Sequence, residues 1–557
     1  MQQFKKLTFS AIIPELVTRF AHNDAVGFVD EKQMTYADMG KKISAVIAFL
    51  ESLEVEPGEK VMIYSQNMPH WPVVYFAVQC MGAIVVPVLP DFNKHELENI
   101  IQHSETNTLF VSESLRYKME DINTEDIKHI VRINDFTLLQ SPSSASFNED
   151  AIPKKEYKTE EDTLSILLYT SGTTGNSKGV MLSQRNVIIN AIQGGKVQTI
   201  MPKGRFLSVL PLSHTYENTL GLILPILYGA SVTYLKRPPT AAVLLPALKS
   251  VKPHYMLTVP MLIEKVYRNS ILPGINKSAI TRMMYNNRLT NKLVCRMAGK
   301  KLYKTFGGKL KFFGIGGAKL NAGVEDFLRK AKFPYAIGYG LTESSPLIAG
   351  SNPTNTRFQA IGKEVVGGLM KIHNPDPVTG AGEVWAKGPH IMLGYYKDEE
   401  RTKEVLTHNG WLKTGDLGVI DKKGYLSHKG RMKNMIVGAN GENIYPENIE
   451  SIINTFPHVA ESLVMEKKGK LVALVHFNRE ELELKLKAMA ADLSKKVDNR
   501  IDELSQRVDR TIEELSNELE QYINSRVNKY SRINDLVVHN EPFVKTATQK
   551  IKRYLYV

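Results

Sequence analysis

The 557-residue chain predicts an α/β protein whose sheets are largely parallel. Short apolar runs such as Lys60–Tyr64, Ala83–Val88 and Thr108–Val111 alternate with helical stretches, the pattern of strands joined by crossover helices. Glycine-rich segments follow several apolar runs, and such junctions place ligands at the carboxyl ends of parallel strands. Because a chain of this length is too long for one hydrophobic core, we expect at least two domains.

Composition indicates a cytosolic enzyme. The two cysteines, Cys80 and Cys295, lie far apart in the chain and form no disulfide or metal-ligand pattern, as expected in a reducing compartment. No signal-type apolar segment follows the N-terminus, and the best apolar run, Leu220–Tyr228, is too short to span a bilayer. The formal charge of +13 suits polyanionic ligands or an anionic membrane, although a charge spread over a large surface is usually only solvated. No nucleic-acid-binding motif accompanies it, so no nucleic-acid partner is expected.

The segment Tyr169–Gly179 has the composition of a phosphate-binding loop. It follows the apolar run Leu164–Leu168 and reads Tyr-Thr-Ser-Gly-Thr-Thr-Gly-Asn-Ser-Lys-Gly. Glycines allow backbone amides to approach an anion, hydroxyls donate to its oxygens, and Lys178 adds positive charge. The loop is not a P-loop, because Gly179 stands where a magnesium-binding hydroxyl should follow the lysine. The sequence therefore predicts a polyphosphate site outside the P-loop class.

Later segments complete the predicted domain organisation. Two further glycine clusters, Phe313–Ala318 and Ile337–Glu343, follow predicted strands. From about 366 to 429 short strands and turns indicate a small β-rich subdomain. A boundary is predicted near Gly430–Asn434, and a separate α+β unit closes the chain.

The closing unit contains an eleven-residue repeat. Similar segments begin at Ala490, Ile501 and Ile512, and no Gly or Pro interrupts the region. An eleven-residue period is about 3.67 residues per turn, so the apolar stripe runs along one face of a long helix. The polar face carries more acidic than basic residues, which argues against docking on anionic lipid. Two alternatives remain open: the helix packs on its own domain, or it forms a homodimer or partner contact.

Five motifs, in order along the chain, resemble those of the adenylate-forming superfamily of acyl-CoA synthetases, luciferases and peptide-synthetase adenylation domains. The matching segments are Tyr169–Gly179, Tyr339–Glu343, Trp411–Asp416, Gly430–Arg431 with Gly441–Pro446, and Lys545–Arg553. The resemblance covers nearly the whole chain apart from the helical repeat. Within the superfamily the chain is most similar to bacterial long-chain fatty acid CoA ligases. The segments Leu210–Glu217 and Val259–Tyr267, and glutamine instead of the commoner glycine at Gln549, carry this closer similarity.

The resemblance implies an ATP-dependent acyl-CoA ligase with two domains. Residues 1–431 would be the AMP-binding domain, and residues 432–557 a mobile C-terminal domain with a helical insertion at about 482–528. A fatty acid would react with ATP to give an acyl-adenylate and pyrophosphate, and CoA would then take the acyl group. The implied cofactors and co-substrates are ATP, Mg²⁺ and CoA.

The resemblance also assigns nucleotide-binding residues. The phosphates would lie against a loop made of Thr170, Ser171, Gly172, Thr173, Thr174, Gly175 and Lys178. Tyr339 would stack on adenine beside Gly317, Ala318 and Gly340. Thr342 would donate to the α-phosphate and Glu343 would ligate Mg²⁺, a hard cation that prefers oxygen. Asp416 and Arg431 would contact the ribose hydroxyls.

The remaining assigned residues belong to catalysis and to the second half-reaction. Lys550 would enter the site for adenylation and bridge the carboxylate and α-phosphate oxygens, and Lys433 matches the hinge position. Gly441, Glu442 and Asn443 would line the CoA channel after the domain rotates. His214 resembles a residue beside the acyl and pantetheine channel, where a role as base in thiol attack is a hypothesis. The catalytic set is thus Lys550, Thr342, Glu343 and His214.

Two other functions remain as alternatives. An acyl-carrier-protein synthetase would share the adenylation step and use its basic surface to receive an acidic carrier. A catalytically silent scaffold would bind partners through the repeat, but Lys178, Glu343, Asp416, Arg431 and Lys550 are all retained. The expected location is cytoplasmic with peripheral contact at the inner membrane face, and no transmembrane segment is expected.

Overall fold

The computed structural model describes residues 4–170, 178–437, 443–483, 486, 501–527, 529–546 and 550–556. The helices, in chain order, are α1 (Phe9–Arg19), α2 (Tyr36–Ser52), α3 (His70–Met81), α4 (Lys94–Ser104), α5 (Gln184–Val197), α6 (Leu224–Leu227), α7 (Ala241–Val251), α8 (Pro260–Val266), α9 (Leu272–Asn276), α10 (Ala279–Asn286), α11 (Asn291–Thr305), α12 (Ala322–Ala331), α13 (Glu399–Val405), α14 (Pro446–Ile453) and α15 (Ile501–Asn524). Two π-helical segments, Tyr216–Ile223 and Tyr267–Ile271, precede α6 and α9.

The strands alternate with these helices over most of the chain. They are β1 (Asp24–Phe28), β2 (Met34–Thr35), β3 (Lys60–Tyr64), β4 (Ile84–Val88), β5 (Thr108–Val111), β6 (His129–Arg132), β7 (Thr137–Gln140), β8 (Leu164–Thr170), β9 (Lys178–Ser183), β10 (Arg205–Ser208), β11 (Ser231–Tyr234), β12 (Tyr255–Thr258), β13 (Phe312–Ile315), β14 (Tyr335–Gly340), β15 (Leu347–Gly350), β16 (Lys363–Glu364), β17 (Leu369–His373), β18 (Gly382–Lys387), β19 (Gly394–Tyr395), β20 (Leu412–Ile420), β21 (Leu426–Arg431), β22 (Ile436–Val437), β23 (Asn443–Ile444), β24 (Val459–Lys467), β25 (Lys470–Phe477) and β26 (Asp535–Val538).

The described chain divides into two compact units. The first contains Met1–His373, Val384–Thr414 and Ile420–Ser427, and the second contains Asn374–Glu383, Gly415–Val419 and His428–Val557. The predicted boundary after Arg431 and the predicted mobility of residues 432–557 stay predictions.

Two large sheets organise the first unit, and they confirm the predicted α/β class. One has nine strands in the order β16-β15-β14-β13-β12-β10-β11-β1-β2, and the other has eight in the order β19-β9-β8-β4-β3-β5-β6-β7. Neighbours in the middle of both sheets are parallel, as between β3 and β4 or β12 and β13. These central strands are buried, as the apolar runs predict for a sheet covered on both faces.

The second unit has its own core. Strands β24, β25 and β26 form a three-stranded sheet. Its apolar cluster includes residues of α14, of this sheet and of α15, among them Val508, Ile512, Leu519 and Ile523. The apolar stripe of the eleven-residue repeat, where it is described, therefore packs on its own unit, the first of the two alternatives that the sequence left open. The predicted repeat between 487 and 500 lies outside the described residues.

Candidate active site

The predicted phosphate loop connects two paired strands. β8 and β9 are antiparallel, and Thr170 lies opposite Lys178 in their register. Ser171, Gly172, Thr173, Thr174 and Gly175 lie outside the described residues. Since Thr170 and Lys178 lie opposite each other at the end of the paired strands, both ends of the loop meet at one point. The lysine that the sequence assigns to the phosphates is thereby anchored in a sheet.

A cavity of about 770 Å³ opens beside Lys178 in the first unit. Its wall combines basic groups with aromatic rings and includes Lys178, Lys397, Arg401, Tyr169, Tyr395 and His103. The Tyr169 hydroxyl lies 2.8 Å from His103 Nδ1. Partial burial, together with the charge of Lys397, lowers the pKa of His103, so this ring is neutral at pH 7. Lys397 pairs with Glu105 at 2.8 Å, and Arg401 pairs with Asp398 of the same wall at 3.2 Å. The wall still has more basic than acidic side chains, which suits a polyphosphate.

Tyr395 connects the predicted phosphate lysine to the predicted magnesium ligand. Its hydroxyl donates a hydrogen bond of 2.8 Å to Glu343 Oε1. Lys178 Nζ lies 5.1 Å from the centroid of the same ring, within cation–π distance. Burial raises the pKa of Tyr395, so the phenol stays protonated and remains a donor. The sequence offered no signal for Tyr395, because its role depends on the pairing of β19 with β9.

Glu343 lies in a tight turn whose shape requires Gly340. A Cβ at Gly340 would lie 1.7 Å from the Pro346 carbonyl oxygen, so no other residue fits without a backbone shift. The Leu341 amide donates to Ser344 Oγ at 3.0 Å, and the Met392 amide donates to the Glu343 carbonyl at 2.9 Å. Thr342 and Glu343 are both partly exposed. The turn thus fixes these side chains at the end of β14 and leaves them accessible.

The residues predicted to hold adenine share one edge of the nine-stranded sheet. β13 and β14 are parallel, and Ile315 lies opposite Ile337. Gly317 and Tyr339 each come two residues later, at the carboxyl ends where ligands bind in such sheets. Gly317 has φ +84°, which a larger residue would adopt only with strain. Gly317 and Ala318 are exposed and Tyr339 is half-buried.

The predicted ribose contacts form an ion pair in the second unit. Arg431 Nε lies 2.8 Å from Asp416 Oδ1. The Asp416 side chain is only 2% exposed, and His428 Nε2 lies 3.5 Å from the same oxygen. The structure therefore brings Asp416 and Arg431 together, and it adds His428, which the sequence did not single out.

The C-terminal motif is held by its flanking cations while Lys550 remains exposed. Lys545 pairs with Glu461, and Arg553 pairs with Glu450 on α14. The backbones of Lys545 and Ile551 form an isolated antiparallel β-bridge, and the Thr546 amide donates to the Lys550 carbonyl at 2.8 Å. The Lys550 side chain is exposed. The flanking residues are therefore held by ion pairs and Lys550 is exposed on the surface of its unit, unlike a loosely solvated basic tail.

The predicted hinge and CoA residues lie earlier in the same unit. Lys433 is exposed in a single 3-10 turn, Met432–Asn434, directly after β21. Asn443 pairs with Val437 in the two-stranded β22–β23 hairpin. Gly441 and Glu442 lie outside the described residues, as does Gln549. The roles of these positions stay predictions.

His214 has one ring nitrogen engaged by the backbone. The Tyr216 amide donates to His214 Nδ1 at 3.2 Å. In this arrangement the neutral ring carries its proton on Nε2, which then acts as a hydrogen-bond donor. The hypothesised role of His214 as base in thiol attack stays a prediction.

Glu217, three residues later, is a buried carboxyl that the sequence did not assign. It is 2% exposed and lies over Gly221, where a Cβ would come within 2.6 Å of its carboxyl carbon. Burial raises the pKa of Glu217 to about 8, and a hydrogen bond with Ser208 opposes the shift. Asn67 donates to Ser208 Oγ at 3.0 Å and accepts from the Leu212 amide at 2.8 Å. The neutral acid thus belongs to a network that holds the loop before His214.

Replacing Glu217 with glutamine should change how stability depends on pH. Between the ordinary pKa of 4.5 and about 8, the folded state keeps a proton that the unfolded chain has released. Rising pH therefore costs the parent protein about 1 kcal/mol per pH unit from this group. Glu217→Gln stays neutral at every pH and should escape this loss. We expect urea unfolding from pH 5 to 8 to show that the free energy of unfolding of Glu217→Gln rises relative to that of the parent as the pH rises. The exposed control Glu400→Gln should show no such change relative to the parent. If the free energies of unfolding of Glu217→Gln and the parent varied in parallel with pH, the assignment would be contradicted.

The described residues set limits on other sites. No group of three or more His, Cys, Asp or Glu in the described ranges could hold a metal ion. Mg²⁺ is usually bound by one or two carboxylates plus substrate phosphates and needs no such group, and the assignment of Glu343 as its ligand stays a prediction. Among helices in the described part of the chain, none is long and apolar enough to cross a membrane.

Comparison with known proteins identifies relatives over most of the chain. A family model described as AMP-binding enzyme matches residues 15–396. The long-chain-fatty-acid–CoA ligase FadD15 of Mycobacterium bovis is 28% identical over 481 residues, covering 81% of this chain and 78% of that protein. The peroxisomal long chain acyl-CoA synthetase 6 of Arabidopsis thaliana is 28% identical, covering 84% of this chain and 71% of that protein.

Solved structures share the fold. The anthranilate CoA ligase AuaEII in complex with anthranoyl-AMP has a TM-score of 0.77 at 20% identity, covering 98% of this chain and 96% of that chain. The O-succinylbenzoate CoA synthetase MenE of Bacillus subtilis in complex with AMP has a TM-score of 0.74 at 22% identity, covering 98% and 97%. At these identities the likeness establishes the α/β architecture.

Proposed function

The chain belongs to the AMP-binding enzyme family, and from that premise we propose that it is an ATP-dependent, AMP-forming acid–thiol ligase that activates long-chain fatty acids. The observation that carries this proposal is the meeting of Lys178 and Glu343 at Tyr395 beside a basic cavity. Two residues that are distant in sequence, one predicted to contact ATP and the other its metal, both contact this one side chain, and this supports the proposal.

The proposed chemistry needs no protein nucleophile. A carboxylic acid with a pKa of about 4 is ionised at neutral pH and can attack the α-phosphorus of ATP itself. One carboxylate oxygen forms the new P–O bond, the bond to the β-phosphate breaks, and pyrophosphate leaves. The thiol of CoA, after losing its proton, then attacks the acyl carbon of the adenylate and AMP leaves. The protein mainly neutralises and aligns two anions.

Each predicted nucleotide contact has a place in this proposal. The loop between Thr170 and Lys178 holds the β- and γ-phosphates. Thr342 donates to the α-phosphate, and Glu343 binds Mg²⁺, which would supply charge neutralisation on the phosphate oxygens. Tyr395 keeps the Glu343 carboxylate oriented through its hydrogen bond. Tyr339, with Gly317, Ala318 and Gly340, takes the adenine, while Asp416 accepts from the ribose hydroxyls beside Arg431.

The second unit supplies the change between half-reactions in this proposal. Lys550 contacts the carboxylate and α-phosphate during adenylation and then withdraws when the C-terminal domain rotates about Lys433. Gly441, Glu442 and Asn443 then complete the CoA channel. Lys550 is exposed on a segment whose flanking residues are held by ion pairs, and this position supports its proposed role as a cation that contacts the reacting groups.

A long acyl chain is supported by the relatives named above. The matched proteins are long-chain-fatty-acid–CoA ligase and long chain acyl-CoA synthetase. The residues from 210 to 267 that resemble this class include the π-helix Tyr216–Ile223, whose Leu220, Leu222 and Ile223 are buried in the first unit.

A graded series of fatty acids tests the proposed substrate. Acid-dependent ATP–pyrophosphate exchange should increase from acetate towards long saturated acids, and added CoA should give the thioester. Each additional buried methylene contributes about 0.8 kcal/mol, so discrimination between short and long acids should exceed 10²-fold. An optimum at acetate or at an aromatic acid would overturn the long-chain assignment. Offering an acyl-carrier protein in place of CoA decides between the two acceptors.

Location and partners remain part of the proposal. We place the enzyme in the cytoplasm, in peripheral contact with the inner face of a membrane. Because the described apolar stripe of α15 is buried in its own unit, a homodimer or partner contact through this helix would have to use its polar face.

A further inference from the structure

The positive charge of the chain is concentrated in one segment. Between Glu264 and Glu325 the sequence has 13 lysines and arginines and no aspartate or glutamate. The formal charge of the whole chain is also +13, so the remaining residues balance to zero. The charge is therefore localised, contrary to the sequence-based expectation of a solvated excess spread over the surface.

Much of this charge lies on α10, α11 and the turn between them, all in the first unit. The residues that form this basic surface are exposed: Lys277, which lies just before α10, and Arg282, Arg288, Lys292, Arg296 and Lys300. Within the described ranges no carboxylate forms an ion pair with any of these six. The basic surface is thus unneutralised by the protein itself, which leaves it able to bind an anionic partner.

The same surface exposes large apolar side chains. Leu289 is 89% exposed, Ile280 and Met283 are 67% exposed, and Met297 and Leu293 are 62% and 53% exposed. Helix α10 buries no residue. Helix α11 packs on the core through Val294, Cys295 and Leu302. Its exposed Leu293 and Met297 take no part in this packing. Contiguous exposed apolar residues of this kind mark interaction sites.

The turn that carries Leu289 is ordered by its own hydrogen bonds. Thr290 Oγ1 donates to the Met284 carbonyl at 2.6 Å. The Leu289 amide donates to Asn287 Oδ1 at 2.9 Å. Asn291 Nδ2 donates to the Tyr285 carbonyl. The apolar side chain is therefore held outward by a preformed turn, which reduces the entropy cost of inserting it into a partner.

We propose that α10, α11 and their connecting turn form a docking surface for an anionic phospholipid bilayer. Basic side chains contact the headgroups, and Ile280, Met283, Leu289, Leu293 and Met297 enter the boundary between headgroups and acyl chains. A soluble polyanion would satisfy the cations but leave the apolar groups in water. An uncharged apolar partner would leave the cations unpaired. The inference does not depend on the proposed activity, because vesicle binding needs neither nucleotide nor CoA.

Co-sedimentation of the full chain with vesicles tests the electrostatic half of this proposal. Binding should be strong on phosphatidylcholine vesicles containing about a third phosphatidylglycerol and weak on phosphatidylcholine alone. At about 1 kcal/mol per basic residue, the triple variant Arg282→Gln, Arg288→Gln, Arg296→Gln should bind the anionic vesicles roughly 10²-fold more weakly. The matched control Lys32→Gln, Lys158→Gln, Lys422→Gln removes the same charge from exposed positions elsewhere and should bind within a few-fold of the parent. Equal losses in the two triple variants would overturn the proposal.

A second triple variant tests the apolar half at constant charge. Met283→Ser, Leu289→Ser, Leu293→Ser alters exposed side chains only, and an unchanged unfolding midpoint would verify the fold. It should lose at least tenfold in binding to anionic vesicles and retain its binding to heparin, a soluble polyanion. Unchanged vesicle binding would overturn bilayer docking and identify the surface as a general polyanion site.

Discussion

Lys550→Ala should lower acyl-adenylate formation by roughly 10² to 10³, about 2.7 to 4 kcal/mol, the cost of losing one preorganised donor to a developing charge. Transfer from a supplied acyl-adenylate to CoA should proceed at nearly the parent rate, because the lysine is proposed to have left the site by then. Pyrophosphate exchange measures the first half-reaction, and thioester release from synthetic acyl-adenylate measures the second.

The structure supplies a control for this experiment. Lys552 lies two residues further along the same motif, and its amide donates to the Val544 carbonyl at 2.8 Å, so the backbone bond survives in Lys552→Ala. This variant should keep both half-reactions. Equal losses of the two half-reactions in Lys550→Ala would defeat the account of domain alternation.

Glu343→Gln should reduce adenylation by a similar factor, roughly 10² or more, because a metal on the transferring phosphate stabilises the transition state by several kcal/mol. Glutamine keeps the shape of the side chain, and its carbonyl oxygen can still accept from Tyr395, so the turn should persist. The variant loses the negative charge that holds Mg²⁺. The Mg²⁺ concentration for half-maximal exchange should therefore rise.

Two comparisons make the result specific. Glu400→Gln removes an exposed carboxylate of the same unit and should leave the Mg²⁺ dependence unchanged. Tyr395→Phe removes the hydrogen bond to Glu343 and should have a smaller effect than the loss of the carboxylate. If Glu343→Gln showed the parent's Mg²⁺ dependence, the metal would have to be held elsewhere.

The sequence predicted the regular elements well where the apolar pattern was strong. The runs at Lys60–Tyr64 and Thr108–Val111 are strands with these bounds, because parallel strands covered on both faces need continuous apolar residues. The glycine-rich turn at Gly340 was also recognised from sequence. Its physical reason, the close approach of the Pro346 carbonyl, depends on the return of β15 beside β14 and could only be seen in the fold.

Other features of the site depend on long-range packing. Tyr395 lies 52 residues from Glu343 in sequence, and no local pattern marks it as a partner. Glu217 looks like an ordinary helical acid, and only its complete burial raises its pKa to about 8. The eleven-residue repeat predicted a helix, but its periodicity alone did not distinguish packing on its own unit from packing on a partner.

The central claim is that the carboxylate oxygen of a fatty acid attacks the α-phosphorus of ATP. Exchange and thioester formation with a long-chain acid labelled with ¹⁸O in its carboxylate test this claim most directly. The account predicts one labelled oxygen in the AMP released after CoA has taken the acyl group, with unlabelled pyrophosphate. Label in inorganic phosphate together with release of ADP would contradict it.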